Sequence, residues 1–343
     1  MRLLILTQKM DINDPILGFF HNWVQKLASN FEKISVVCLE KGKYHLPQNV
    51  EVFSLGKENK KSRFFYLVKF FNLCLFQSLN YDSVFVHMNQ EYVLLGGIFW
   101  KFLGKKIYFW RNHPKGNVLT RTAVFLSEKI FYTSPESYTA RFKNAEIMSV
   151  GIDTEKFKPG ISNLRIKNSI LSLGRISPIK NIEGMIKAVE ILTQKGVRVK
   201  LDIVGDPVNK EDFSYLEQLK VAAGRLADSE TIKFLSAVPN DKTPDLYRQH
   251  QLFLNLTPTG SFDKSILEAV ACGCLPIVAN QSLDSVFDEL KTLTQPEQIA
   301  DKISQWLNTE SKIDSKKTEE LQKYVLLNHS LSALIDQLVA QIK

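Results

Sequence analysis

Residues 169–189 read SILSLGRISPIKNIEGMIKAV. The first five residues form a short apolar run, which is typical of a strand buried on both faces of a sheet. Gly174 permits a tight turn after this run, and a helical pattern begins near Ile182. A strand that leads through a turn into a helix is typical of a parallel sheet covered by helices.

The same alternation recurs in both directions along the 343 residues. Strands are predicted at 3–6, 34–39, 50–54, 83–87, 106–110, 129–133, 146–150, 169–173, 200–204, 231–235, 251–255 and 275–278. Helices are predicted at 18–29, 63–79, 91–103, 182–194, 212–226 and 264–271. A last amphipathic helix is predicted at 318–342, with its apolar stripe formed by Leu326, Leu331, Leu334, Leu338 and Ile342.

The chain is longer than one hydrophobic core usually supports, and glycine and proline interrupt regular structure at 151–160. We therefore predict an α/β protein of two Rossmann-like, doubly wound parallel-sheet domains that face each other across a cleft. The domains are expected at 1–155 and 156–320, with 321–343 packing back on the N-terminal domain. Ligands of such sheets bind beyond the carboxyl ends of the strands, so the residues that follow strands are the candidates for chemistry.

The net charge of +8 belongs to the first half of the chain. Residues 1–160 hold 22 Lys and Arg against 13 Asp and Glu, including the cluster Lys57, Lys60, Lys61 and Arg63. Such a field attracts nucleic acid, anionic lipid headgroups or phosphorylated small molecules, and charge alone does not choose among them.

The aromatic segment 63–79 is shorter than the roughly 20 residues of a membrane span, and Lys69 and Asn72 interrupt it. We interpret it as a buried helix in preference to an aromatic helix at a bilayer interface, because aromatic stripes usually belong to a core. The spacing of Cys272 and Cys274 favours buried thiols over a metal site, which fits a reducing cytoplasm. The run 1–7 is expected to be a strand and not a secretory signal.

Two loops carry candidate site residues. Arg175 and Lys180 follow the strand at 169–173 and precede a helix N-terminus, a combination that suits a diphosphate, although two solvated loop cations would look the same. Glu268 follows the loop at 256–263 in the first turns of a helix. Its carboxylate could accept hydrogen bonds from ribose hydroxyls or simply complement the helix dipole.

The pattern Gly-Arg-x4-Lys at 174–180 is followed by Leu-Glu-Ala-x-Ala-x-Gly-x-x-Pro-Ile-Val-Ala at 267–279, and Gly-Ile-Asp-x-x-x-Phe at 151–157 precedes both. In this order the motifs resemble those of the retaining GT-B glycosyltransferases of family four, also called glycosyl transferases group 1. The resemblance spans nearly the whole chain. It implies a sugar nucleotide (UDP or GDP) as donor, no cofactor and no metal, and transfer of a hexose to a hydroxyl of a glycan, lipid or lipid-linked acceptor.

The resemblance also implies roles for individual residues. Arg175 and Lys180 would bind the donor diphosphate and stabilise charge on the leaving group. Gly18 would let the donor approach closely, His113 would lie near the transferred sugar, and Glu268 would hold the ribose. The other expected donor contacts are Gly174, Val238, Gly260, Ser261, Phe262, Asp263, Lys264 and Ser265.

One departure from the family pattern concerns Glu-x7-Glu, whose first position here is Gly260. Asp263 is expected to replace the missing sugar-binding carboxylate, as a catalytic residue with His113, Arg175 and Lys180, and Lys264 to add a phosphate contact. The departure leaves open a catalytically inactive nucleotide-binding or scaffold protein, and an epimerase or phosphorylase on the same fold. No nucleic-acid partner is expected, because no recognised module is visible.

The basic cluster, the aromatic segment and the cations Arg111, Lys115 and Arg121 together suit an amphiphilic or anionic acceptor. We therefore expect a cytoplasmic protein whose N-terminal domain associates peripherally with the inner face of an anionic membrane.

Overall fold

The computed structural model describes residues 1–14, 16–76, 81–160, 165–260, 263–308 and 311–343, with side chains at all of these except 75, 76 and 311–314. The chain divides into two compact units. The first unit consists of Met1–Gly151 and Leu331–Lys343, and the second unit of Ile152–Ser330.

The first unit is built on a seven-stranded parallel sheet. Its strands are β1 (Arg2–Met10), β2 (Lys33–Lys41), β3 (Val50–Ser54), β4 (Ser83–His87), β5 (Lys106–Trp110), β6 (Lys129–Tyr132) and β7 (Ala145–Ile147), in the spatial order β3-β2-β1-β4-β5-β6-β7. Central strand β1 pairs on both sides, with Leu3 opposite Ile34 of β2 and Ser83 of β4. The order reverses between β1 and β4, which is where such a sheet opens a binding crevice.

Helices cover both faces of this sheet. They are α1 (Phe19–Ala28), α2 (Arg63–Phe71), α3 (Gln90–Phe102), α4 (Val118–Leu126) and α11 (Leu331–Ile342). Alternate residues of β1 point to opposite faces: Leu3 and Ile5 join the core under α1 and α11, and Leu4 and Leu6 join the core under α2, α3 and α4. The uninterrupted apolar run of β1 is therefore explained by burial on both faces.

The second unit is built on a five-stranded parallel sheet. Its strands are β8 (Ser169–Leu173), β9 (Lys200–Val204), β10 (Ile232–Leu235), β11 (Leu252–Asn255) and β12 (Leu275–Val278), in the order β10-β9-β8-β11-β12. Its helices are α5 (Ile182–Gln194), α6 (Lys210–Asp228), α7 (Thr243–Gln249), α8 (Lys264–Ala271), α9 (Pro296–Leu307) and α10 (Ser311–His329). The prediction of two Rossmann-like parallel-sheet domains is confirmed.

The prediction of one terminal helix at 318–342 is wrong, because α10 ends at His329 and α11 begins at Leu331. Between them, Ser330 forms a bridge with Ile152, whose backbone N donates to the His329 carbonyl at 2.7 Å. Leu326, predicted in the same apolar stripe, is exposed on α10. In the first unit α11 is held partly by Ser149, whose N donates to Gln337 Oε1 at 2.9 Å.

The interpretation of segment 63–79 as a buried helix is wrong for most of its described side chains. Helix α2 ends at Phe71 and continues as one π-helical turn over Asn72–Phe76. Among the residues of α2 only Phe70 is buried, because the helix turns a single stripe toward the sheet. In the described part of the chain, no helix is both long and apolar enough to cross a membrane.

All four cysteines, Cys38, Cys74, Cys272 and Cys274, are buried free thiols, as the sequence analysis favours for the last two. Burial raises the pKa of the Cys272 thiol to about 12.

Candidate functional site

The carboxyl edge of the second sheet is shaped by two glycines that follow neighbouring strands. Gly174 follows β8 with φ of 150°, and Gly205 follows β9 with φ of 155°. A Cβ on Gly205 would lie 1.8 Å from the carbonyl oxygen of Gly174, so the two backbones touch there. Sequence reasoning singled out Gly174 and missed Gly205, although its place directly after a predicted strand is the same signal.

Lys180 lies on the loop that leaves Gly174. Its ammonium forms an ion pair with Asp263 and donates to Thr257 Oγ1 at 3.0 Å. The two charged side chains are only 19% and 24% exposed. Asn181 follows with φ of 49°, and its side chain accepts from Gly184 N at the start of α5. The loop therefore delivers a partly buried, oriented cation beside a helix N-terminus.

Asp263 is the centre of this network. Its Oδ2 accepts from Asn255 Nδ2 at 2.9 Å and from Thr257 Oγ1 at 3.1 Å, in addition to Lys180. Burial alone raises the pKa of the Asp263 carboxyl, but the Lys180 charge and these hydrogen bonds outweigh burial and lower the pKa below its usual value. The carboxylate is therefore ionised at neutral pH and orients Lys180.

Arg175 is exposed, and the structure gives its guanidinium no ion pair with any described residue. It shares with Gly174, Lys180 and Asn255 the lining of a small cavity of about 10 Å³, enough for a single water molecule. The structure thus brings together both cations that sequence reasoning selected. Asn255 and Thr257, which hold Asp263, were not selected; their position at and just after a predicted strand was the available signal.

Glu268 occupies a second, more enclosed cluster on α8. The Tyr247 hydroxyl donates to Glu268 Oε2 at 3.2 Å. Burial raises the pKa of Glu268, and nearby Lys264 and Lys156 only partly oppose this effect. Burial lowers the pKa of Lys264 to about 7, although the negative charge of Glu268 acts in the opposite direction and raises it. Tyr247 and Lys156 were missed because they come from other parts of the unit.

The remaining candidates of the second unit lie on the same edge. Gly260 stands in a turn with φ of 107°, a backbone conformation that favours glycine. Val238 is half-buried in the coil after β10, and Ser265 Oγ lies 3.4 Å from Asn255 Nδ2. Ser261 and Phe262 lie outside the described residues.

Gly18 and His113 belong to the first unit. A Cβ at Gly18 would lie 2.5 Å from the Asp14 carbonyl oxygen and 2.9 Å from that of Ile12, so the loop itself requires glycine there. His113 is exposed after β5, and its Nδ1 lies 3.0 Å from the backbone N of Lys115.

The loop that carries His113 is held by its own side chains. Arg111 donates to the Lys115 carbonyl at 2.8 Å, and Asn112 Oδ1 accepts from the backbone N of Thr133 and Ser134. Arg111 therefore helps to hold this loop in place, and its expected contact with the acceptor stays a prediction.

His87 at the end of β4 was also missed by sequence reasoning. It is buried, its Nδ1 lies 3.2 Å from Thr7 Oγ1, and its ring stacks on Phe20 with centroids 3.9 Å apart. His87 is the last residue of the predicted strand 83–87, which was the signal that could have identified it.

The family model described as glycosyl transferases group 1 matches residues 153–325, slightly more than half of the chain. The mannosylfructose-phosphate synthase of Agrobacterium fabrum is 25% identical over 154 residues, which cover 42% of this chain and 34% of that protein. The alpha-monoglucosyldiacylglycerol synthase of Streptococcus pneumoniae is 27% identical over 141 residues, which cover 41% of this chain and 30% of that protein.

These matches span about a third of the length of each of the two relatives. Among solved structures, the Anabaena protein HepE in complex with UDP has a TM-score of 0.78 at 17% identity, and the match covers 100% of this chain and 99% of that one. At this identity the likeness concerns the fold.

Proposed function

The chain belongs to the glycosyl transferases group 1 family, and on that premise we propose that it moves a hexose from a nucleoside-diphosphate sugar to a hydroxyl of a glycan, lipid or lipid-linked acceptor, with retention of configuration. The observation that carries the proposal is the placement of Lys180. Its ammonium is oriented by Asp263 and lines the same cavity as Arg175, beyond the carboxyl ends of parallel strands.

The two cations are suited to the leaving group. When the bond between sugar and diphosphate breaks, negative charge develops on the diphosphate, and fixed cations stabilise this charge more than they stabilise the bound ground state. We propose that a phosphate oxygen of the leaving group takes the proton of the acceptor hydroxyl, and that the transfer requires no metal.

Asp263 has a role that sequence reasoning did not foresee. The three donors that the structure gives it, on Lys180, Asn255 and Thr257, all meet Oδ2. We propose that Asp263 is first of all a positioning residue for Lys180. The family pattern implies a second role for Asp263, contact with the transferred sugar. Comparing the affinity of an Asp263 variant for UDP with its affinity for a UDP-sugar tests this second role.

Glu268 is proposed to accept hydrogen bonds from the donor ribose. The Tyr247 hydroxyl fixes its carboxylate from within the unit, and Lys264 lies one helical turn away on α8. Glu268 attracts the charge of buried Lys264, and we propose that Lys264 also contacts the donor phosphate. The uracil base is proposed for the donor, because HepE was solved with UDP.

The acceptor is proposed to be amphiphilic. Val118 and Leu119 are exposed at the start of α4, directly after the loop that carries His113. Apolar side chains beside a polar loop suit a molecule with a sugar end and a lipid end. One of the curated relatives is named as an alpha-monoglucosyldiacylglycerol synthase.

The test begins with thermal unfolding of the full chain in UDP, GDP and their sugars, since a ligand of the native state raises Tm by mass action. Release of the nucleoside diphosphate with and without candidate acceptors then measures turnover. We expect Arg175→Ala and Lys180→Ala to lose both effects. Lys195→Ala, an exposed lysine of the same unit that pairs with Asp301, serves as the control. Nucleotide binding without turnover of any sugar nucleotide would favour the non-catalytic alternative.

A further inference from the structure

The outer surface of helices α2, α3 and α4 in the first unit is strongly apolar. Phe102 is 91% exposed, Phe125 78%, Phe64 75% and Ile98 69%. We call the exposed apolar side chains of these helices the apolar face: Phe64, Phe65, Leu67, Val68, Ile98, Phe99, Phe102, Val118, Leu119 and Phe125. Isolated exposed apolar residues are ordinary, but a contiguous set of this kind marks an interaction site.

The three helices lie side by side, so the apolar face belongs to one surface. Their inner residues Phe70, Trp100 and Val124 share one core cluster on the same side of the sheet. Phe71 of α2 contacts Phe99 of α3 edge to face, with ring centroids 5.8 Å apart. The Lys101 ammonium of α3 donates to the Phe125 carbonyl at 3.1 Å and lies 5.2 Å from the Phe125 ring.

The chain segment that forms this surface is rich in Lys and Arg and poor in Asp and Glu. Residues 59–126 contain ten Lys and Arg and only two acids, Asp82 and Glu91. Asp82 is already paired with Arg2 at 3.3 Å. The ammonium groups of Lys61 and Lys69 lie 5.7 Å and 5.8 Å from the Phe65 ring, so cations and aromatic rings share the same surface.

We propose that the apolar face docks the protein on an anionic lipid bilayer. Phenylalanine, leucine, isoleucine and valine side chains enter the boundary between headgroups and acyl chains, while lysines beside them attract lipid phosphates. A second copy of the chain fits less well, because its own cations would face these cations. A nucleic acid would leave Ile98 and Phe102 in water. Docking does not require the proposed transfer, and α4, which carries Val118 and Leu119 of the apolar face, begins directly after the loop of His113.

The experiment is co-sedimentation of the full chain with vesicles of phosphatidylcholine alone or with phosphatidylglycerol, at low and high salt. We expect binding only to the anionic vesicles, weaker at high salt because screening reduces the cationic contribution. The variant Phe64→Ser/Phe102→Ser/Phe125→Ser should bind at least about tenfold more weakly, since it loses three inserted rings. Val221→Ser, whose side chain is 82% exposed in the second unit, is the matched control.

Two further measurements keep the outcome interpretable. Thermal unfolding checks that the triple variant is folded, and stabilisation by UDP in the same samples reports on the donor site separately from lipid binding. Phe102→Trp should show a blue shift of its fluorescence when anionic vesicles are added, because the indole enters an apolar environment. The proposal would be overturned if the wild type did not bind anionic vesicles at low salt, or if the triple variant bound them equally well. It would also be overturned if the wild type formed a dimer and the triple substitution made it a monomer.

Discussion

Lys180→Ala is the perturbation that most directly tests the donor site. It removes the cation from a pair whose members are 19% and 24% exposed, so that, among the described residues, Asn255 and Thr257 remain as the hydrogen-bond donors to Asp263. Pairs in water contribute about 0–1 kcal/mol, and breaking a fully buried pair costs about 3–5 kcal/mol. For this intermediate burial we expect a loss of about 2 kcal/mol in the free energy of unfolding. For a unit of roughly 180 residues, that lowers Tm by about 6 °C.

The double variant Lys180→Ala/Asp263→Asn separates pairing from other effects. Asparagine removes the charge that Lys180→Ala leaves uncompensated, so the two losses should not add. We expect the double variant to be more stable than the sum of the single losses predicts, by about 1 kcal/mol, because the two side chains interact directly. The pKa of Asp263 is lowered in the folded protein, so the loss from Asp263→Asn is complete above the unfolded pKa and disappears as pH falls through the folded pKa.

Donor affinity completes the test, measured by titration calorimetry with UDP. A charge-assisted hydrogen bond to phosphate is worth about 1.5–3 kcal/mol, so Lys180→Ala should weaken UDP binding at least about tenfold. Additive stability losses in the double variant, together with unchanged UDP affinity in Lys180→Ala, would refute both the pairing and its role.

Three further outcomes follow from the geometry of the second unit. Asp263→Asn should change the affinities for UDP and for a UDP-sugar by the same factor if it acts through Lys180; a loss of about tenfold confined to the UDP-sugar would assign it to the sugar. Gly205→Ala should cost at least about 2 kcal/mol of unfolding free energy, because its Cβ would meet the Gly174 carbonyl oxygen at 1.8 Å and its φ is 155°. Denaturant unfolding measures this, and Gly196→Ala, with φ of 79° but no atom within 4 Å of its Cβ, is the control for backbone strain without a steric contact. Because burial lowers the pKa of Lys264 to about 7, the folded state binds fewer protons than the unfolded state above that pH. Wild-type stability should therefore rise relative to Lys264→Met by about 1 kcal/mol per unit between pH 7.5 and 9.5, and parallel pH profiles would contradict this.

The sequence predicts the sheets well, because apolar runs such as 3–6 have no other stable place than between two helix layers. It also locates Arg175 and Lys180, since both follow a strand and precede a helix. It does not reveal that Lys180 and Asp263 pair across 83 positions of the chain, or that Asn255 and Thr257 meet at the same oxygen. Such contacts depend on which strands pair in the sheet. Strands β8 and β11 pair although β9 and β10 lie between them in the sequence.

The exposure of α2 was missed for a related reason. A helix turns only one stripe toward a sheet, and the composition of segment 63–79 is equally compatible with burial in a core and with contact to lipid. Phe70 meets Trp100 and Tyr92 in the core, whereas Phe64 lies six positions earlier, on the surface. The distinction depends on how far the neighbouring helix α3 extends over α2, which no local pattern encodes.

The backbone conformation between β11 and α8 bears on the proposal that Asp263 replaces the carboxylate that the family pattern places at 260. Gly260 adopts a φ of 107°, which a glutamate at this position could take only with strain of about 1–3 kcal/mol. Three residues later Asp263 stands at the N-cap of α8 in an extended conformation that any residue can adopt, and Asn255 and Thr257 fix its oxygen. The conformation of the turn therefore disfavours a carboxylate at 260 and supports one at 263. Asp263 thus presents its acid beside Lys180, three positions after 260.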